Sequence, residues 1–358
     1  MQGNIWWLKL ANPRRFVDSI VTTAKEGKSI ILSMPQVIPW EADFYETVQL
    51  ELERAFPIKL FKYVDDVGND VGKFFLDRFC KEEKRLQYRG NKSYAKFLGE
   101  SDDITLHDRV LWVKNFPVEL YNDCLNFISE YYMCRGNKNA AVFIFEIRDK
   151  DVHNASRKHL VNISFESQIS DYDKYSFCTI LAAEANCDTA VRPYLADLVS
   201  LVCKNDIELS AECVVSWPVF INDPVKGLER ICENRCRSNG EQYLLNVDEG
   251  EIEGSIWEAQ IRNVFPILER YRMKFIASNR EKIASILKSH DIHNAESEVL
   301  SDPLDVELGT LCYMSASGLL QLTPPVNSEL HAYKEARNAL AHMKLLEYSS
   351  VMKFLKKR

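Results

Sequence analysis

Residues 140–149 read AAVFIFEIRD, apolar at every position from Ala140 to Phe145 before the run meets Glu146. A strand with one wet face alternates apolar and polar side chains; a run without alternation belongs to a strand covered on both faces. Four shorter runs have the same character: SIILSMP at 29–35, IKLFKYV at 58–64, RVLWVKN at 109–115 and HLVNISF at 159–165. Helical patterns stand before and between them. NPRRFVDSIVTTAK carries Phe16, Ile20 and Val21 on one face, with Gly27 as its stop signal. DFYETVQLELERAF, KFFLDRFCKEEKRL and VELYNDCLNFISEYYM follow with helical spacing. Buried strands alternating with amphipathic helices predict an α/β unit, a mainly parallel sheet with flanking helices, over residues 1–170.

From Tyr172 onward strand-like runs give way to helical ones. YSFCTILAAEA, VRPYLADLVSLVCKN, DIELSAECVV and VKGLERICENRC predict an all-α lid over 171–248. NVDEGEIEGS at 246–255 is acidic and contains glycine, and it reads as a linker. Beyond it, residues 249–358 read as a C-terminal helical bundle, interrupted at Pro303 and at Pro324–Pro325.

The formal charge of −7 argues against a general polyanion-binding surface while leaving room for a local basic groove. No apolar run approaches the ~20 residues that span a bilayer, and the N-terminus lacks an apolar signal core, so the reading is a cytoplasmic protein with no membrane contact. The ten cysteines are scattered without a CxxC pair. Cys232 and Cys236 fall four apart on an expected helix with no second ligand pair nearby, and buried free thiols are expected rather than a metal centre. His290 and His293 read as a polar turn. Asp65, Asp66 and Asp70 in YVDDVGND are candidate metal ligands weighed against a solvated acidic loop, which is the stronger reading.

The order helix, GKSIILSMP, helix, RVLWVKN, helix, VFIFE, LVNISF, helical lid resembles the core of P-loop NTPases of the AAA+ and STAND type over residues 1–245. The resemblance implies that VFIFE is the Walker B strand and that Glu146 is its acidic residue, working on magnesium or on the attacking water. The chain departs from the pattern where the chemistry needs it. A phosphate loop requires glycines whose backbone N–H groups surround the phosphates, a lysine and a Ser/Thr. After SIILSMP comes QVIPWEAD, with no glycine, no lysine and two acidic residues. Lys28 and Ser29 stand on the wrong side of the strand, and GNDVGK at 68–73 lacks the Ser/Thr. No nucleotide cofactor is therefore expected, whether the layout is a degenerate NTPase core or an unrelated α/β domain.

Near the C-terminus, KEARNALAHMK places Arg337, Asn338 and His342 in the spacing of an RNxxxH motif. It resembles the Rx4–6H motif of HEPN domains, with the likeness confined to about the last 100 residues. The resemblance implies a metal-free ribonuclease in which histidine serves as acid or base and arginine holds the phosphate. Five positions apart on one helix, the two side chains diverge by roughly 140°, so a composite site calls for a homodimer. The alternative is a helix end whose alanines serve close packing, with Arg337 ion-paired and His342 capping or hydrogen-bonded. The leading expectation is a non-catalytic scaffold, sensor or regulatory subunit that meets other protein subunits; the alternative is a HEPN-type ribonuclease acting on RNA.

Overall fold

The computed structural model describes residues 2–136, 138–148, 158–244, 248–293 and 298–357. Asp149, Asn246, Val247 and Arg358 of the stretches quoted above lie outside them. The chain divides into two compact units. One comprises residues 1–177 with 238–240; the other comprises 178–237 and 241–358. The helical stretches on either side of residue 248 thus fall in one unit.

In the first unit all five strand-like runs are strands. They are β1 (Ser29–Ser33), β2 (Leu60–Val64), β3 (Arg109–Val113), β4 (Val142–Ile147) and β5 (Leu160–Ser164). Every pairing is parallel, in the order β2-β3-β4-β1-β5. The α/β fold class read from the sequence is the one observed. β4 is buried at all six positions, as expected for a central strand with both faces covered.

Helices α1 (Ala11–Lys25) and α2 (Glu41–Ala55) serve one face, and α3 (Val71–Phe79), α4 (Tyr94–Glu100) and α5 (Tyr121–Arg135) the other. Alternation along the strands assigns the side chains. Ile31, Leu111, Phe143, Phe145 and Ile147 join Phe75, Leu98 and Tyr131 in one core. Trp112 on the opposite face meets Phe44, whose ring stands 4.6 Å from that of Trp7. The early tryptophan pair is therefore core: Trp6 and Trp7 are both fully buried.

The single charged helix expected over KFFLDRFCKEEKRL is two pieces. α3 ends at Phe79 with Cys80 extended, and a single turn follows at Glu82–Arg85. Past Cys80, which is still buried, KEEKR offers no apolar residue to bury, so nothing holds the helix on its course.

The second unit contains α6, which begins in the first unit (Asp171–Glu184), α7 (Arg192–Cys203), α8 (Ile207–Val215), α9 (Pro224–Asn234), α10 (Glu249–Asn263), α11 (Phe265–Ser278), α12 (Arg280–Ser289), α13 (Leu308–Ala316), α14 (Pro324–Ala341) and α15 (Tyr348–Leu355). Most of the expected linker is helix. Asp248 caps α10 by accepting from the Glu251 N–H, Glu249 and Glu251 complement the helix dipole, and Ile252 and Ile256 are buried. The acidic character that suggested a linker is the signature of a helix N-terminus. Pro324 and Pro325 likewise open α14 rather than break it, since the first turn needs no N–H from them. α7 packs against α10, with Asn263 donating to Asp197 at 2.6 Å.

All ten cysteines are free; seven are buried, Cys134 and Cys232 are half-buried and Cys236 is exposed. α9 stops at Asn234, so Cys236 is not on the helix with Cys232 but in an isolated bridge to Gln242.

Candidate functional site

Parallel sheets bind ligands outside the carboxyl ends of their strands, where neighbouring connections leave to opposite faces. Here β1 runs on to α2 on one face and β3 runs on to α5 on the other, with β4 between them. Glu146 lies at that end of β4, opposite Leu32 of β1, and is fully buried. Its carboxylate is surrounded by donors. The Tyr45 hydroxyl of α2 stands 2.9 and 2.8 Å from its two oxygens, Trp112 Nε1 of β3 donates at 2.8 Å, and Arg148 Nε donates at 2.9 Å.

Arg148 extends the cluster to the loop that follows β1. Nη1 donates to the Gln36 carbonyl at 3.0 Å, and Nη2 to Glu41 and to the Tyr45 hydroxyl. The Gln36 amide returns a hydrogen bond to the Arg148 carbonyl. Trp7 Nε1 holds the same loop from below, donating to Pro39 O at 2.8 Å. α2 carries Glu41 and Asp43 in its first turn, so its positive dipole end already faces carboxylates. A guanidinium, two carboxylates and a tyrosine occupy the crevice at the end of β1, β3 and β4.

The electrostatics follow from the burial. Burial first, then the Glu146 charge, push the Tyr45 hydroxyl far above its ordinary value, and the same two causes raise Tyr63. Burial opposes the charge on Arg148, but Glu146 and Glu41 beside it raise its pKa regardless. At the rim, the Lys114 ammonium sits 3.5 Å from the Tyr45 ring centroid and 4.2 Å from that of Tyr63. The sequence reading singled out Glu146 and missed Arg148, Tyr45 and Trp112. One signal was available: Arg148 stands two residues after Glu146, one past the end of β4, where continued alternation puts the two side chains on the same side.

The RNxxxH residues lie in the other unit, at the end of α14. His342 is the last capping residue, and Met343 takes the left-handed conformation at φ 55°. Lys344 N–H reaches Ala339 O at 2.9 Å and Met343 N–H reaches Leu340 O at 3.2 Å, which is a Schellman ending built on methionine instead of glycine. Trp257 of α10 donates to the Leu340 carbonyl at 2.9 Å, and the Gln260 amide bonds both backbone groups of Leu346. Arg337, on the preceding turn, pairs with Glu307 at 3.3 Å in a partly exposed contact. The His342 side chain is exposed and has no buried partner among the described residues. Capping by His342 is thus a matter of its backbone: its N–H reaches the carbonyls of Asn338 and Ala339, both at 3.1 Å. Asn338 is half-buried.

Two of the three carboxylates of the acidic loop accept local backbone hydrogen bonds, and Asp65 is exposed. Asp66 accepts from the Gly68 N–H at 2.7 Å and Asp70 caps α3 through the Lys73 N–H at 2.9 Å. Among the described residues no group of three or more His, Cys, Asp or Glu has metal-binding geometry. No described helix is long and apolar enough to cross a membrane. No protein-family model matches this chain, and no curated protein matches it.

Proposed function

We propose that this chain is a non-catalytic scaffold, sensor or regulatory subunit of a multi-protein complex, built on a degenerate P-loop-like core and a HEPN-like helical region. One observation carries the reading: the Glu146–Arg148–Glu41 cluster takes up the crevice where the phosphates of a nucleotide would need backbone N–H groups and a free cation. Glu41 and Asp43 at the start of α2 would also repel phosphate. Prokaryotic anti-phage and toxin–antitoxin systems contain proteins of this composite kind, and that resemblance makes defence the proposed setting. Titration calorimetry with MgATP is expected to give no binding heat, and a phosphate-release assay no turnover. Micromolar MgATP affinity in the wild-type protein would overturn the reading. Affinity purification with mass spectrometry then identifies the subunits it joins.

A second reading, a HEPN-type metal-free ribonuclease, is favoured by the exposure of His342 and by the partly exposed ion pair that Arg337 makes with Glu307. Because that imidazole is at the surface, His342→Ala is expected to change stability by no more than about 0.5 kcal/mol. The variant therefore separates chemistry from folding. If the wild-type protein cleaves RNA and both Arg337→Ala and His342→Ala abolish cleavage at unchanged Tm, the ribonuclease reading replaces the scaffold reading. No cleavage by the wild type, alone or with its co-purifying partners, removes it.

A further inference from the structure

Residues 78–96 carry seven Lys or Arg against two acidic side chains, a net +5 within a chain of net −7. The segment is a surface strip. Arg85 Nη1 donates to Asp77 O at 3.3 Å at the end of α3, and Tyr94 lies against Gly72 in the first turn of that helix. The chain therefore runs back along α3, a helix roughly 13 Å long. Arg78, Lys81 and Arg89 are exposed, and Lys84, Arg85 and Lys96 are half-exposed. Among the described residues none of these six has a carboxylate within ion-pair distance. Lys92 is the exception, paired with Glu100, while Ser93 engages Glu130. Unpaired cations at this density repel one another, an arrangement that an anionic ligand relieves.

Aromatic rings stand among the cations. Tyr88 and Tyr94 are stacked at 4.6 Å between centroids with 23° between planes, Phe97 meets Tyr88 edge-on, and both tyrosines are partly exposed. Leu86 beside them is 67% exposed. We propose that this strip binds the backbone of single-stranded nucleic acid, with phosphates on the cations and a base against the Tyr88–Tyr94 stack. Cations interleaved with aromatic faces match that ligand. A bilayer fits worse, because the segment has no amphipathic helix to insert and only one strongly exposed apolar side chain. A duplex fits worse, because the strip is built of short turns with no free element to enter a major groove.

The test is fluorescence anisotropy of the full-length protein with labelled oligouridylate and oligothymidylate across a salt series. Binding is expected to weaken with salt at a log–log slope of about −3, corresponding to four phosphate contacts. Lys81→Glu/Lys84→Glu/Arg89→Glu is expected to lose at least about tenfold in affinity, with the slope shallower by about 2. Reversal of three exposed lysines elsewhere, Lys274→Glu/Lys282→Glu/Lys288→Glu, is expected to leave binding intact. Circular dichroism checks folding, and the Gln variants at the same three strip positions serve if the Glu variant does not fold. The proposal is independent of the RNxxxH motif, so Arg337→Ala/His342→Ala should bind as the wild type does. Absence of binding at low salt, equal loss in the control triple, equal competition by duplex, or capture by phosphatidylserine vesicles without oligonucleotide binding would each overturn it.

Discussion

Arg148→Ala is expected to destabilise the α/β unit by about 3–5 kcal/mol, the range for removing one partner of a buried ion pair. The size follows from what remains. Glu146 is fully buried and the Arg148 side chain only 17% exposed, so deleting the guanidinium strands a carboxylate that water cannot reach. Tyr45 and Trp112 still donate to it, but neither supplies charge. The same deletion frees the Gln36 carbonyl and Glu41, loosening the loop after β1. Glu146→Met/Arg148→Met removes both charges together and should be less destabilising than Arg148→Ala, because no buried charge is orphaned. Urea titration reads both, as a lower midpoint at unchanged slope. A loss below about 1 kcal/mol for Arg148→Ala would mean that the cluster is looser than its geometry implies.

Trp7→Ala is expected to lower stability by a comparable 3–5 kcal/mol, as is usual for a fully buried tryptophan. Its ring packs between Phe16, Phe44 and Phe165, tying the N-terminal turn to α1, α2 and the end of β5. Trp7→Phe retains most of this packing and loses the hydrogen bond to Pro39 O, so about 1–2 kcal/mol is expected from it. The difference between the two variants separates packing from the tether on the loop. Equal losses would assign the whole effect to the hydrogen bond.

The central strands β1, β3 and β4 were legible because burial on both faces removes polar residues from them, a local property of the chain, whereas the edge strands β2 and β5 keep Lys62 and Asn162 at partly buried positions. Helix ends were less so. NVDEGEIEGS contains the composition of a linker and the cap of a helix at once, and the burial of Ile252 and Ile256 decides between them. KFFLDRFCKEEKRL looked continuous because its charges are compatible with helix, yet only Val71–Phe79 has a core to face. In RNALAH the residue types were plain, but whether His342 was buried depended on how α14 ends. A methionine in the left-handed conformation gave no sequence signal for that ending.

The chain's own pattern of apolar runs determined that it would form a parallel α/β sheet followed by helices, because period and burial are written residue by residue. It also determined that the turn after β1 has no glycine, lysine or hydroxyl for a phosphate. Only the tertiary structure decided what fills that turn. Glu41 and Tyr45 on α2, Trp112 on β3 and Arg148 just past β4 come from three separate segments, and their meeting around Glu146 depends on the strand order β3-β4-β1. The basic strip, by contrast, is contiguous in the sequence at 78–96, and the tertiary structure decided only that it runs back along α3 with Tyr88 and Tyr94 stacked among its cations. Pairwise electrostatics act over a few ångströms in space, and sequence distance does not encode that proximity.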